Sequence, residues 1–259
     1  MSISKFILKT TVPIPKILEY NTYIFIGAHP DDIECQCGGT IAKLIELGKK
    51  VSFIIVTDGR YGSQNINITQ EELVIIRKNE SYKAAEKLGV TNIKFLNFYD
   101  GGRYDIENVA DKIAIELVCI KPDIIFTIDN HVKSEIHPDH LKVGRASELA
   151  FFKCSLPLIM NDLGSTNVAK PKGIAYYFTD KPNSFIKISK YFNLKIAAVS
   201  EHTSQFLSAE EGSASINEMI IMFKFDGIRY GIRCFSKYAE GFRVLSNKHL
   251  HCMPLSSKF

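Results

Sequence analysis

Four short apolar runs, rich in β-branched and aromatic residues, alternate with helical patterns in the first half of the chain. The apolar runs cover 23–28, 51–56, 92–98 and 122–128, and the helical patterns cover 40–48, 71–88 and 106–120. Strands this apolar must be covered on both faces, so they predict a mostly parallel sheet joined by right-handed crossovers. The first half therefore indicates a doubly wound α/β fold, in which ligands bind beyond the carboxyl ends of the strands.

The pattern loosens after residue 155. The sequence predicts a loop over 155–173, strands over 174–178 and 184–188, helices over 189–203 and 215–223, and a polar, lightly docked or frayed tail from 247. No repeat or low-complexity linker interrupts the chain, so we expect residues 1–259 to form a single domain. A catalytic core would span about 20–155, and a C-terminal part of about 156–250 would shape the substrate site.

Composition narrows the class of protein. Of the 259 residues, 46% are apolar and 23% are charged, as in ordinary globular proteins, and the net charge of +4 comes from scattered lysines. This pattern argues against nucleic-acid binding. Apolar runs stay short of the roughly 18–20 residues of a membrane span, and residues 1–15 lack the cleavage pattern of a signal peptide. Six irregularly spaced cysteines favour reduced thiols and a cytoplasmic protein.

The segment 28–34, "AHPDDIE", follows the first predicted strand directly. His29, Asp31 and Asp32 are therefore expected at the carboxyl end of the sheet, where three ionisable groups are costly unless they are paired or bind a cation. Pro30 favours an extended conformation at His29, which suits a sharp exit from a strand. A capping aspartate beside a satisfied histidine is the alternative that this segment alone leaves open.

A second segment, "EIHPDH" at 135–140, follows the fourth predicted strand and repeats the His-Pro-Asp order. His137 and His140 are three residues apart at the expected start of a helix, with Pro138 suited to its first position. Together the two segments offer the mixture of imidazoles and carboxylates that suits a catalytic zinc, with about three protein ligands and one position for water. Zinc lowers the pKa of that water to about 7, and Asp31 and His137 are the natural acid/base pair.

Further motifs occur in a fixed order along the chain. "AHPDDIE", "GGT", "TDG", "RKNESYKAAEKLG", "FYDGG" and "HPDH" follow one another within the first 150 residues, and "EHTSQF" and "YAEGFRV" lie in the C-terminal part. This ordered set resembles the LmbE-like, PIG-L-type N-acetylglucosaminide deacetylases, which include those of mycothiol and bacillithiol synthesis and of diacetylchitobiose breakdown. The resemblance implies a Rossmann-like three-layer fold and a zinc-dependent hydrolase that removes the acetyl group of an N-acetylated amino sugar.

Carried over residue by residue, the resemblance implies that His29, Asp32 and His140 bind one zinc ion per subunit and that Asp31 is the general base. Another divalent metal would suit the same ligands. His137 would stabilise the oxyanion or protonate the leaving amine, oriented by Asp139. The expected partner is a small N-acetylated sugar, without nucleic acid or membrane. Members of the family often assemble, which allows a homo-oligomer.

Other residues are expected near the site, and the sequence allows two roles for each of them. Arg77 and Glu80 lie three apart on one helix face, as a surface ion pair would, although in the family a comparable pair faces the site. Arg60 either holds a sugar hydroxyl or an acidic group or remains a solvated loop arginine. Asp100 is either a turn residue or a ligand to sugar hydroxyls, and the glycines that follow favour a turn in both cases.

Three glutamates are expected to lie next to the site residues and to orient them: Glu34, Glu80 and Glu135. Glu135 stands where the family commonly has Asp, and its extra methylene would shift the groups that orient the metal ligands. Gln36 stands ahead of the glycine pair where the family has a small residue, so it would narrow the pocket or add a hydrogen bond.

Other interpretations remain open at the level of sequence. The pair Gly38-Gly39 could open a helix that cradles phosphate in a nucleotide- or sugar-binding module without hydrolytic activity, although the Gly-x-Gly-x-x-Gly spacing is incomplete and two aspartates would repel a pyrophosphate. Cys35 and Cys37 could bind zinc, but no second cysteine pair completes a structural site, which favours packing. The histidines and cysteine of 249–252 could chelate metal, but a terminal tail is the simpler interpretation.

The acetylated substrate itself is not determined by these motifs. Any such substrate would need the same centre, and selectivity is expected to come from the loops at 59–69, 100–105 and 155–172. A degenerate family member that only binds or assembles is a further interpretation. The chain keeps every expected ligand and Asp31, which argues against it.

Overall fold

The computed structural model describes residues 11–63, 65, 67–206, 215–251, 253 and 256. Its strands form one seven-stranded sheet in the order β3-β2-β1-β4-β5-β7-β6. The strands are β1 (Thr22–Gly27), β2 (Lys50–Thr57), β3 (Asn92–Phe98), β4 (Ile124–Ile128), β5 (Gly173–Tyr177), β6 (Ser184–Lys187) and β7 (Ala239–Ser246). The first five run parallel, whereas β7 is antiparallel to both β5 and β6. The predicted three-layer, mostly parallel α/β fold is confirmed.

Helices cover both faces of the sheet. They are α1 (Asp32–Glu46), α2 (Gln70–Leu88), α3 (Ile106–Ile120), α4 (Pro138–Lys153), α5 (Pro157–Asp162), α6 (Phe192–Val199), α7 (Thr203–Phe206), α8 (Ile216–Ile232) and α9 (Asn247–Leu250), with a 3₁₀ turn at Ile17–Glu19. Within the described ranges, no helix is both long enough and apolar enough to cross a membrane.

The order of the strands reverses beside β1. The chain leaves β1 for β2 and β3 on one side, and then returns to pair β4 with the other side of β1. Tyr23 is opposite Ile124 and Phe25 is opposite Phe126, whose rings stack with centroids 4.2 Å apart. The carboxyl ends of β1 and β4 therefore open at a topological switch point, where α/β sheets bind ligands.

The start of α1 differs from the prediction. The sequence placed a helix start near Thr40, but α1 begins at Asp32 and contains Gly38 and Gly39 in its interior. A Cβ on Gly39 would lie 2.7 Å from Cδ1 of Ile188. The glycine pair therefore lets another segment approach the middle of the helix, because it lacks the side chains that would keep the segment away.

The C-terminal part follows the prediction only in part, because strand β7 was not predicted and the helices differ. The predicted strands correspond to β5 and β6, whereas the expected loop over 155–173 contains the short helix α5. The helix predicted over 189–203 is two helices, α6 and α7. Helix α8 runs nine residues past the predicted end at Phe223, to Ile232. Phe223, Gly227 and Gly231 continue its buried face at four-residue spacing, which keeps the helix packed along its length.

Candidate metal centre and active site

The two His-Pro-Asp segments meet at the switch point. Strand β1 ends at Gly27, and the chain turns through His29 and Asp31 into α1. Strand β4 ends at Ile128, and His137 is the N-cap of α4. The two segments are more than 100 positions apart in sequence, and the pairing of β1 with β4 places them side by side.

Asp32 lies between two imidazoles. Its carboxylate is 3.5 Å from Nδ1 of His29 and 3.3 Å from Nε2 of His140. The backbone N–H of His29 donates to Oδ2 of Asp32 at 2.8 Å, which fixes the carboxylate across the turn. One nitrogen of each imidazole and both oxygens of Asp32 therefore face one another in the cluster formed by His29, Asp32 and His140.

In both His29 and His140, the ring nitrogen that points away from Asp32 contacts other carboxylates. We call it the remote nitrogen. Nε2 of His29 lies 3.2 Å from Asp100 and 3.3 Å from Asp139. Nδ1 of His140 lies 2.9 Å from Glu135. Metal-binding histidines usually use the second nitrogen in this way, because a carboxylate there fixes the ring and its tautomer.

Charge favours a cation at this cluster. Burial lowers the pKa of His140, but Asp32 and Glu135 outweigh that effect and raise it to about 9. Burial acts in the same direction on His29, yet hydrogen bonds to Asp100, Asp139 and Asp32 hold its pKa well above the ordinary value. The negative potential that retains these protons also attracts a divalent cation.

Asp139 is a buried anchor at the first turn of α4. Its oxygens accept hydrogen bonds from the backbone N–H of Gly101 at 2.8 Å and of Gly102 at 2.9 Å. Burial alone would raise the pKa of Asp139, but hydrogen bonds with His29 and from the backbone N–H of Gly101 hold it below the usual range. Its nearest carboxylate oxygen is 3.7 Å from Nδ1 of His137, farther than from His29.

His137 stands at the edge of the cluster, with 45% of its side chain exposed. Its ring centroid lies 4.6 Å from that of His29 and 4.9 Å from that of His140. Nδ1 accepts a hydrogen bond from the backbone N–H of Asp139 at 3.3 Å, so Nε2 is the atom left to face a ligand. Burial and the neighbouring imidazoles lower the pKa of His137.

Asp31 occupies a strained backbone position. Its φ of 121° is one that side-chain-bearing residues rarely adopt. Burial raises the pKa of its carboxyl group, and the nearby charge of Arg77 opposes that effect. Strain of this kind persists only where surrounding contacts impose it, and such positions concentrate at functional sites.

Arg77 supplies those contacts from α2. Its guanidinium donates to the carbonyl oxygens of Gly59 at 2.9 Å and Pro30 at 2.8 Å, and lies 3.4 Å from Asp31. Glu80, one turn further along, instead accepts hydrogen bonds from Thr203 and Ser204. The surface ion pair considered for Arg77 and Glu80 is therefore wrong, because both side chains are buried and hold different segments of the chain.

A cleft of about 370 Å³ opens over the cluster. Its lining residues are His29, Asp31, Asp32, Tyr61, Gly62, Arg77, Asp100, Gly101, His137, Pro138 and Gln205. The loops at 59–69 and 100–105 thus contribute as expected, whereas 155–172 supplies none of the described lining residues. Gln205 takes part instead, with Nε2 donating to the carbonyl of Gly62 at 2.7 Å. Gln205 belongs to the motif "EHTSQF", which the sequence singled out, but the motif by itself predicted no role for this residue.

Other predicted residues lie outside the cleft lining. Arg60 forms an ion pair of 2.6 Å with Asp58, and its guanidinium lies 3.6 Å from the ring centroid of Tyr99. Glu34 lies behind the cluster, 3.7 Å from Nε2 of His202, with both side chains almost fully buried. His202 is a second residue to which the sequence assigned no role.

The phosphate-binding and cysteine alternatives left open by sequence lose their structural basis. The backbone N–H groups of Gly39 and Thr40 donate to Glu240 at 3.0 and 2.7 Å, so a carboxylate already occupies the place expected for phosphate. Cys35 and Cys37 are buried free thiols whose pKa values are raised by burial, consistent with packing. In the tail, His249 is buried and its Nδ1 accepts a hydrogen bond from the backbone N–H of Ser246; Cys252 lies outside the described residues.

Two sets of three donor atoms in the described chain lie within 4.8 Å of one another. They are His29, His137 and His140, and His29, Asp100 and Asp139. Both sets include His29 at the switch point, and neither includes Asp32. Cysteine takes part in neither set.

Comparison with known proteins places the chain among deacetylases. Residues 24–151 match the model of the PIG-L family, described as GlcNAc-PI de-N-acetylase. The diacetylchitobiose deacetylase of Thermococcus kodakarensis is 30% identical over 233 residues, which cover 89% of this chain and 85% of that protein. A probable N-acetyl-α-D-glucosaminyl L-malate deacetylase 2 of Bacillus cereus is 30% identical over 70% of this chain and 82% of its own.

Solved structures agree. The N,N′-diacetylchitobiose deacetylase of Pyrococcus horikoshii, solved with an inhibitor, superposes with a TM-score of 0.85 at 27% identity and covers 100% of this chain and 98% of its own. A 4-carboxy-2-hydroxymuconate hydratase of Pseudomonas putida, at 17% identity and a TM-score of 0.72 over 87% of this chain and 96% of its own, shares the fold alone. With the two His-Pro-Asp segments inside the matched region and 30% identity over most of its length to a curated deacetylase, this chain belongs to the PIG-L family.

Proposed function

We propose that this protein hydrolyses the N-acetyl group of a small N-acetylated amino sugar or glycoconjugate, releasing acetate and a free amine. The observation that carries this proposal is the position of Asp31, which borders the cleft beside the cluster of His29, Asp32 and His140. A carboxylate next to a metal-ligand set is the arrangement that metal-assisted hydrolysis uses. Relatives with deacetylase names support the same reaction class.

The donor set suits zinc. Two imidazoles and one carboxylate are the three protein ligands of many catalytic zinc sites, which leave a further position open. His29, Asp32 and His140 would hold the ion, and Asp100, Asp139 and Glu135 already orient both rings from their remote nitrogens. Another divalent cation that accepts nitrogen and oxygen ligands would fit the same residues.

Zinc bound there would polarise an acetamide carbonyl and lower the pKa of a water molecule. Asp31 then accepts the proton of the attacking water, since its carboxylate lies at the cleft and is held by Arg77. His137 faces the same cleft with Nε2 and either stabilises the developing oxyanion or protonates the leaving amine. Asp139, anchored by two backbone N–H groups, keeps the turn that carries His137 in place.

The reaction is tested by measuring primary-amine release from a panel of N-acetylated sugars, with and without a chelator. We expect turnover that the chelator abolishes and that zinc restores. Asp31→Ala should lower kcat by on the order of 10²-fold or more while metal content is unchanged, as for loss of a positioned base. His29→Ala should lose the metal. Failure on every acetamide despite full zinc occupancy would contradict the proposal.

The proposal also covers which part of the chain supplies which site residues, and the cellular compartment in which the protein acts. The core of about 20–155 supplies the proposed metal ligands and Asp31, and the C-terminal part supplies Gln205 to the cleft wall. The cysteines in the described ranges are all free thiols, which supports a reducing, cytoplasmic setting.

A further inference from the structure

The segment 202–205, "HTSQ", contacts three separate parts of the chain that border the candidate active site: α1, α2 and the loop after β2. Thr203 and Ser204 donate three hydrogen bonds of 2.7 Å to the carboxylate of Glu80 on α2. Nε2 of Gln205 donates to a carbonyl oxygen of the loop after β2 at 2.7 Å. The segment is therefore held firmly on two sides.

His202, the first residue of this segment, makes a buried contact with α1. Nε2 of its imidazole lies 3.7 Å from Oε2 of Glu34 in the first turn of α1, and the two side chains are 0% and 1% exposed. Burial lowers the pKa of His202, but Glu34 and Asp31 outweigh that effect and raise it. These carboxylates thus favour the imidazolium form, which makes the contact a fully buried ion pair.

Stability alone gives little reason to keep this ion pair. Within the part of the chain that the structure describes, neither oxygen of Glu34 and neither ring nitrogen of His202 has a hydrogen-bond partner. Buried polar atoms without hydrogen bonds are costly. Apolar side chains of similar volume are often as stable as a buried ion pair, or more stable. A role in function is therefore the better explanation for the pair.

Asp31, the proposed general base, depends on support from outside its own helix. It is the N-cap of α1, but its side chain makes no capping hydrogen bond, although an N-cap aspartate usually accepts one from the first turn of its helix. Its carboxylate instead lies 3.4 Å from the guanidinium of Arg77. Burial raises the pKa of Asp31, whereas the charges of Arg77 and His202 lower it. Two cations from other elements therefore act on this carboxylate.

We propose that His202 is a positioning residue for Asp31, because its ion pair with Glu34 fixes the first turn of α1 and its charge attracts the Asp31 carboxylate. This inference rests on the proposed function, in which Asp31 is the general base. The next two residues of the segment hold Glu80, one turn after Arg77 on α2. One short segment thus sets the position of the base relative to the arginine that contacts it.

The kinetics of His202→Leu test the positioning role. The change leaves the charge of Glu34 buried and unpaired, so the midpoint of urea unfolding should fall. We expect kcat for amine release to fall by about 10- to 100-fold, the effect that a small displacement of a catalytic group has. KM and zinc content should stay near those of the wild type, because the change touches neither the substrate nor a proposed ligand. A wild-type kcat or a loss of zinc would overturn the proposal.

A double variant separates positioning from stability. Glu34→Met combined with His202→Leu replaces the ion pair with apolar side chains, so the urea midpoint should return toward that of the wild type. The value of kcat should stay as low as in His202→Leu, since nothing then holds the Asp31 carboxylate from this side. Recovery of kcat together with stability would mean that the pair only stabilises the fold, and would overturn the proposal.

Lys195→Met is the matched control, because it breaks another buried ion pair of α6. Lys195 lies 2.8 Å from Glu240, with the two side chains 6% and 5% exposed, and neither residue lines the cleft. The urea midpoint should fall as in His202→Leu, whereas kcat should match that of the wild type. A loss of kcat equal to that in His202→Leu would show that reduced stability lowers turnover, and would overturn the positioning role.

Crystal structures of the wild type and of the double variant test the proposal without turnover. The distance of 3.4 Å between Arg77 and Asp31 should lengthen in the double variant. An unchanged distance would overturn the proposal. A wild type that releases no amine from any acetamide would instead contradict the proposed function, and the two structures would still decide whether His202 positions Asp31.

Discussion

The guanidinium of Arg77 lies 3.4 Å from the carboxylate of Asp31 and also holds the carbonyl of the preceding residue, Pro30, at 2.8 Å. A third hydrogen bond, to the carbonyl of Gly59, ties the turn after β1 to the turn after β2. Arg77 therefore fixes both the backbone and the charge of the proposed general base. It is a positioning residue as well as part of the cleft wall.

Replacing Arg77 with methionine should lower kcat by about 10- to 100-fold, because a small displacement of a catalytic group has effects of this size. Metal content should stay near that of the wild type, since Arg77 contacts none of the proposed ligands in the described structure. Amine-release kinetics and metal analysis check both points. Lys83→Met, at an exposed position of the same helix, is the control; equal losses in the two proteins would contradict the assignment.

Asp31→Gly should be more stable than Asp31→Ala by about 1–2 kcal/mol, although kcat should fall by on the order of 10²-fold or more in both proteins. The φ of 121° strains alanine but not glycine. Urea unfolding of the two proteins measures the difference. The same pair of changes at Asp111, inside α3, should give the reverse order, because glycine is costly in a helix. The same order at both positions would show that Asp31 carries no strain.

Glu135→Ala should weaken zinc binding by about 10- to 100-fold without removing a ligand, because Glu135 orients His140 from its Nδ1. Competition with a chromogenic chelator measures the affinity. Glu71→Ala, at an exposed residue of α2, should change nothing. Wild-type affinity in the Glu135→Ala protein would mean that His140 needs no such support or does not bind the metal.

Asp129 should contribute stability that is lost in acid. Burial raises its pKa, but hydrogen bonds from His131 and Thr179 and the charge of Arg243 outweigh that effect and leave the pKa below the ordinary value. A folded-state pKa below the unfolded one means that the stabilisation is present above the unfolded pKa and disappears as the pH falls through the folded one.

We therefore expect Asp129→Asn to lower the free energy of unfolding at neutral pH by roughly 1.5–3 kcal/mol, the range for hydrogen bonds to a charged group. The difference in the free energy of unfolding between Asp129→Asn and the wild type should disappear as the pH falls below about 4. Denaturant unfolding at a series of pH values measures it. For the control Asp162→Asn, at an exposed residue, the free energy of unfolding should change with pH as it does in the wild type. A difference between Asp129→Asn and the wild type that is independent of pH would contradict the linkage.

Local sequence was sufficient for the five parallel strands and for the position of the two His-Pro-Asp segments after β1 and β4. Apolar runs such as 23–28 admit few structures other than a buried strand, and residues that follow such a strand must emerge at its carboxyl end. It was insufficient for the start of α1, because a glycine pair is a common sign of a turn. Here Gly39 is required by the approach of Ile188, which is 149 residues away along the chain and leaves no local signature.

The sequence alone determined which chemical groups gather at the switch point, since His29, Asp32 and His140 occur in motifs that end two neighbouring strands. Only the tertiary structure decided what each supporting residue does. Asp100 and Asp139 share one nitrogen of His29 across separations of 71 and 110 residues, and Arg77 bridges two turns. Such contacts depend on how strands and helices are placed in space, and a buried side chain takes the partners that placement provides.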